Sequence, residues 1–112
     1  MIIMTNKDKY FEIINYRLAN PLNDNVYGEK HHIVPKSICP ILEKASGNLV
    51  LLTAQEHFKA HYYLWKWFVD EGETKWAKKM LFAFHMMKKH LTKCDNIEAM
   101  SKLYEESRLS FT

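Results

Sequence analysis

Thr53 and Glu56, three residues apart and just ahead of His57, mark a helix start more firmly than anything else in the chain. In that spacing the hydroxyl accepts from the N3 amide while the carboxylate reaches back to the N-cap amide, so two otherwise unpaired donors are satisfied together. The helix so opened runs through His57, His61, Leu64 and Phe68 to a stop near Gly72. Residues four apart share one helix face, with Cβ atoms roughly 6 Å apart, so His57 and His61 can aim at a single point. Upstream, Glu29 to Val34 and Asn48 to Leu52 read as two short antiparallel strands. A long ordered connection, punctuated by Pro35, Pro40 and Ser46-Gly47, joins them. The middle of the chain is therefore strand, strand, helix.

Helices flank it on both sides. Thr5 with Asp8 is a second capping box, and Tyr10, Phe11, Ile14 and Leu18 follow at helical spacing, predicting a helix over Asn6 to Leu18 that displays Lys7, Lys9 and Arg17. Asn20-Pro21 and Asn23-Asp24-Asn25, ending at Gly28, predict a loop. Thr74 is placed to cap a third helix through Trp76, Met80, Leu81, Phe84 and Leu91; Asp95 with Glu98 is placed to cap a fourth carrying Ile97, Met100, Leu103 and Tyr104. The expected fold is α+β and mostly helical: a ββα core between an N-terminal helix and a C-terminal helical pair.

At 112 residues the chain has the length of one domain, burying roughly two-thirds of the surface its unfolded form exposes. No apolar run approaches the roughly 20 residues of a membrane span, and Met1-Ile2-Ile3-Met4 lacks the features of a leader, so a soluble cytoplasmic protein is expected. Cys39 and Cys94 have no paired spacing and are expected to be reduced thiols. A net charge of +3 does not by itself argue for nucleic acid.

The histidines carry the chemistry. With His57 and His61 as one ligand pair, His31 is the natural third donor to a zinc-like cation, leaving open positions for water or phosphate. Strand neighbours point to opposite sides, so His32 faces away from the ion unless the backbone twists or the ligand approaches edge-on. An unligated His32 can take a proton from water near neutral pH, the task of a general base. Glu29 is placed to orient His32, and Asn48 to bond the backbone near it and brace the loop. A structural metal centre competes with the catalytic one, though no cysteine stands ready as a fourth ligand.

Elsewhere, His85 and His90 sit on a Lys-rich amphipathic segment and are read as solvated or partly buried. The aromatics Trp65, Trp67, Phe68, Trp76, Phe82 and Phe84 are read mostly as core, against base stacking as the alternative. From Thr74 to Cys94 the chain holds Lys75, Lys78, Lys79, Lys88, Lys89 and Lys93 without one acid, which fits a solvated face or a phosphate-facing stripe. Lys78 and Lys79, together with Lys36 and Arg17, are the candidates for DNA contact.

The pattern Glu29-Lys30-His31-His32-Ile33-Val34-Pro35-Lys36-Ser37, then Asn48-Leu49-Val50-Leu51-Leu52-Thr53, then Glu56-His57-Phe58-Lys59-Ala60-His61 resembles the HNH endonuclease family with its ββα-metal fold. It is particularly similar to small free-standing HNH proteins of phage genomes, many of them homing endonucleases. Met80 to Met87 and Tyr104-Glu105-Glu106 also resemble the helical part that follows the motif there. The resemblance implies one divalent ion (magnesium, manganese, nickel or zinc) on His31, His57 and His61, with His32 as the general base and Asn48 as the middle asparagine. It implies hydrolysis of double-stranded DNA leaving a 5′-phosphate and a 3′-hydroxyl, in a phage-borne protein of a bacterial host. It also implies one nuclease domain over 1–112, with the motif core at about 29–71 and a helical extension at about 74–110. Relatives that recognise particular sites often continue into small DNA-binding repeats. None follows here before Thr112, which puts site specificity in question; a nuclease subunit that gains its target choice from a partner is one reading, and a homodimer is another assembly open to the chain. The alternative is a non-catalytic DNA- or protein-binding module that keeps a structural metal site.

Overall fold

The computed structural model describes residues 3–89, 91 and 96–110. Four helices surround a two-stranded antiparallel hairpin, in the order α1 (Asn6–Ala19), β1 (Glu29–His32), β2 (Leu49–Leu52), α2 (Ala54–Asp70), α3 (Thr74–Lys88) and α4 (Ile97–Leu109). In the hairpin Glu29 pairs with Leu52, Lys30 with Leu51, His31 with Val50 and His32 with Leu49. Two short 3₁₀ turns, Pro40–Leu42 and Ser46–Asn48, lie in the connection between the strands. Both strands are shorter than the sequence suggests, because after His32 and before Leu49 the chain leaves the ladder to build that connection.

Both capping boxes form as their spacing dictates, Thr5 with Asp8 on α1 and Thr53 with Glu56 on α2. Two other caps differ from expectation. Glu73, not Thr74, precedes α3 and makes no side-chain cap. Asn96 caps α4, its side chain accepting from the amides of Glu98 and Ala99. Asp95, the expected cap, lies outside the described residues, as do His90, Lys93 and Cys94. Gly72, between α2 and α3, has a φ of 71°, a left-handed conformation that glycine adopts without the steric cost of a Cβ. It sits where the helix stop was expected.

α2 is the central element. Ala60 and Leu64 on one flank join Tyr10, Ile14, Val50, Leu52 and Met80 in one buried cluster. Ala54 and Phe58 on the other flank join Phe84, Met100 and Tyr104 in a second. Full burial of a side chain such as Phe58 or Leu64 contributes roughly 1.5–3 kcal/mol, so the two clusters clamp the helix from both flanks. His57 and His61 fall on the strip between those flanks. The α1 stripe departs from expectation at Leu18, which is 53% exposed. Arg17 takes the inward position instead, drawn by Glu56 at the start of α2.

Among the aromatics, Phe84 is buried and Trp65, Trp67 and Phe68 are half-buried against the first cluster, but Phe82 is 67% exposed on α3. Cys39 is a free, half-buried thiol. Among the described residues no helix is long and apolar enough to cross a membrane.

Candidate metal centre

β1 delivers His31 and α2 delivers His57 and His61 to one place. Each ring offers one ligand nitrogen, and the three nitrogens lie within 4.8 Å of one another. Ring centroids are separated by 5.3 Å (His31 to His57), 5.1 Å (His31 to His61) and 4.9 Å (His57 to His61). Period-two alternation along β1 buries Glu29 and His31 on the inner side, His31 being 2% exposed.

His32 lies on the alternate side of the strand, yet it lines the same pocket. That pocket, about 150 Å³, is walled by Lys30, His31, His32, Pro35, Lys36, His57 and His61. The strand ends at His32, and Pro35, just beyond it, is part of the same wall.

Hydrogen bonds assign a tautomer to three of the four rings. The Tyr10 hydroxyl donates its only proton to the Ile33 carbonyl at 2.7 Å. It must therefore accept from His31 Nε2–H, 2.8 Å away, which leaves Nδ1 of His31 with the free lone pair. His57 Nδ1–H donates to Glu29 Oε1 at 2.7 Å, so Nε2 is its free nitrogen. His32 Nε2 lies 3.0 Å from the Glu43 carbonyl, which can only accept, so Nε2 carries the proton of the neutral ring and Nδ1 its free lone pair. On His61, Nδ1 is buried with no hydrogen-bond partner among the described residues.

That orphan tests the fit to a cation. A buried polar atom without a partner costs about 1–3 kcal/mol, and a cation bound at that nitrogen would remove the cost. The charge state agrees. Burial, and then the neighbouring rings of His61, His57 and His32, hold His31 well below its ordinary range. Burial, and then His57, push His61 down to about 3, against an opposing pull from Glu29. Both are neutral at neutral pH, the state a metal ligand needs. Three imidazoles suit the later first-row divalent ions and leave positions open.

These two neutral rings set an acid limit. An unfolded histidine titrates at its ordinary 6.5, whereas folded His61 resists protonation down to about 3. Below pH 6.5 the unfolded chain therefore binds more protons than the folded one, so stability is full above that value and lost as pH falls from 6.5 toward 3. The melting temperature of the metal-free protein should hold from pH 7.5 to about pH 6.5 and then drop steadily toward pH 5. A flat profile would remove the buried, neutral histidines from the account.

Glu29 does not touch His32, the role expected of it. It lies on the opposite face of β1 and meets His57 instead. Burial pushes its carboxyl up, but hydrogen bonds from His57, Tyr27, Arg108 and Tyr104 outweigh that and bring it down to about 2. Asn48 stands where expected. Its Oδ1 accepts from the Val34 amide at 2.7 Å, and its Nδ2 donates to the carbonyls of Val34 at 2.9 Å and Leu42 at 3.2 Å. The Asn48 carbonyl accepts from the Ile33 amide at 2.8 Å, so one residue pins the chain just beyond His32. If the chain is an enzyme with its reacting group at His32, Asn48→Ala should lower turnover by ten-fold or more, an order-of-magnitude figure for mispositioning a reacting group, and leave the metal dissociation constant within about three-fold. Equal losses in turnover and in calorimetric metal affinity would count against bracing.

The DNA-contact candidates fare differently. Lys36 lines the pocket, its Nζ 2.9 Å from Glu43 Oε2. Arg17 does not line it; its Nε bonds both Glu56 oxygens, at 2.8 and 3.1 Å, and ties α1 to α2. Lys78 and Lys79 are exposed on α3 and also lie outside the pocket lining, with Lys79 Nζ 5.1 Å from the Trp76 ring centroid. His85 is exposed. Residues that the sequence did not assign to the site complete it. Lys30 is in its wall, Tyr10 behind His31, the Glu43 carbonyl behind His32, and Tyr27, Tyr104 and Arg108 around Glu29. Only Lys30 carried a signal, as a basic residue next to the paired histidines.

The chain is similar to two proteins of Enterobacteria phage T4. It is 37% identical over 101 residues to "Probable mobile endonuclease E", an alignment covering 88% of this chain and 64% of that protein. It is 57% identical over 42 residues to "Probable mobile endonuclease D", covering 38% of this chain and 15% of that one. The chain thus spans less than two-thirds of the length of either relative. No protein-family model and no solved structure matches it.

Proposed function

We propose that this protein is a metal-dependent DNA endonuclease of the HNH type. The observation that carries the reading is the placement of three histidine nitrogens within 4.8 Å of one another beside a fourth histidine, His32, that lines the same pocket. The two phage relatives, each described as a mobile endonuclease, support the same class of activity and a homing-type role. Residues 1–112 are read as one nuclease domain, with its motif core at about 29–71 and its helical extension at about 74–110.

In this reading His31, His57 and His61 hold one divalent cation. When bound, the cation supplies charge neutralisation to the phosphate and to the departing oxygen. His32, oriented by the Glu43 carbonyl through Nε2, accepts a proton from water at Nδ1. The deprotonated oxygen attacks phosphorus, the bond to the 3′-oxygen breaks, and the departing 3′-oxygen takes a proton from solvent water, leaving a 5′-phosphate and a 3′-hydroxyl. Asn48 keeps the chain after His32 from drifting. Lys30 and Lys36, at the rim, bring positive charge to the approaching phosphate backbone, contacts that weaken with salt.

The test is incubation of supercoiled plasmid with the protein and each of magnesium, manganese, nickel and zinc. Conversion to open-circular or linear DNA supports the enzyme. A protein that gains melting temperature from a metal yet cleaves with none is a binding module with a structural metal centre, and the catalytic reading is then wrong.

A further inference from the structure

Glu29 is buried at the back of the histidine cluster, and all of its acceptor capacity is used. Its Oε1 accepts from His57 Nδ1 at 2.7 Å and from the Tyr104 hydroxyl at 2.8 Å. Its Oε2 accepts from the Tyr27 hydroxyl at 2.5 Å and from Arg108 Nε at 2.9 Å. A carboxylate has about four lone-pair sites, so nothing remains with which Glu29 could bind a cation itself. With four donors around it the group also cannot rotate. Two of the four donors come from α4, at sequence separations of 75 and 79 residues. Tyr104 does so from inside the second core cluster, with its ring against Phe58, whereas Arg108 is largely exposed and lies over the Tyr104 ring.

We infer that α4 is the support of the metal centre: Tyr104 and Arg108 hold the Glu29 carboxylate in the one orientation that keeps the proton of His57 on Nδ1 and its Nε2 free for the cation. This rests on the reading of His31, His57 and His61 as the ligand set. Tyr104 and Arg108 are positioning residues, acting through Glu29 on His57, and neither touches cation or DNA. A carboxylate behind a metal-bound imidazole fixes the ring and raises its basicity, and losing such a partner typically weakens metal binding about 10- to 100-fold.

The probe is cobalt(II), followed by calorimetry and by its visible absorption spectrum in the full chain. Tyr104→Phe keeps the ring and its packing and removes one donor; its cobalt dissociation constant should rise about 10-fold or more, with an altered spectrum. Arg108→Gln, at a position 53% exposed and so tolerant of change, should give a smaller rise in the same direction, with Arg108→Lys recovering part of it. Met100→Ala is the control, since it opens a cavity in the second cluster and so lowers stability, while leaving α4 docked and the donors around Glu29 in place. It should lower the melting temperature and leave cobalt affinity and spectrum unchanged. Wild-type affinity and spectrum in both Tyr104→Phe and Arg108→Gln would overturn the inference, as would a Met100→Ala loss of affinity equal to that of Tyr104→Phe. A wild-type chain that binds no cobalt overturns the ligand set itself, an outcome distinct from the other two.

Discussion

His32→Ala should reduce plasmid cleavage by about 10²–10⁴-fold, the usual worth of a positioned general base, while the cobalt spectrum and the metal-induced rise in melting temperature persist. The two outcomes separate because the rings do different work. His32 lines the pocket but is absent from the set of three converging nitrogens. Its Nε2 is tied to the Glu43 carbonyl, which fixes the ring and leaves Nδ1 as its only proton acceptor. His32→Gln provides a second arm: its amide can still donate to Glu43 but has no comparable basicity, so it should be as inactive as the alanine variant. A variant at this position that cleaves within ten-fold of wild type would assign the proton transfer elsewhere.

His61→Ala should abolish metal binding altogether. With cation at 100 times its dissociation constant, the wild-type protein gains about 2.7 kcal/mol, a rise in melting temperature on the order of 10 °C for a domain of this size. The variant should gain none. Without metal the comparison reverses in part, because the substitution removes a buried nitrogen that has no partner among the described residues. Metal-free His61→Ala should therefore lose less stability than the cavity left by the ring would suggest. Differential scanning calorimetry with and without metal reads both quantities. A variant that keeps the full metal-induced rise would exclude His61 from the ligand set.

What could be read in advance, and what could not, follows the range of the interactions. The capping box of Thr53 and Glu56 is complete within four residues, so the start of α2 and the shared face of His57 and His61 were legible. The brace at Asn48 was legible too, since it acts inside the connection that the paired prolines and Ser46-Gly47 announce. The partner of Glu29 was not. Proximity in sequence suggested His32, but alternation along β1 sends the two side chains to opposite faces, and the ring that meets Glu29 comes from α2. Tyr104 and Arg108 were hidden for the same reason at longer range: an apolar stripe predicts that α4 packs, not which hydroxyl on it reaches a carboxylate in β1. Arg17 looked like a free cation because Glu56 had already been assigned to the cap, yet that carboxylate bonds the Thr53 amide and the guanidinium together.

The dependence of Glu29 on α4 also fixes an order of events during synthesis. All four histidines of the pocket leave the ribosome before Tyr104 and Arg108 do, so a nascent chain that has already closed its hairpin onto α2 still lacks two of the carboxylate's four donors. The carboxylate behind His57 thereby gains its full set of four donors only once α4 has docked.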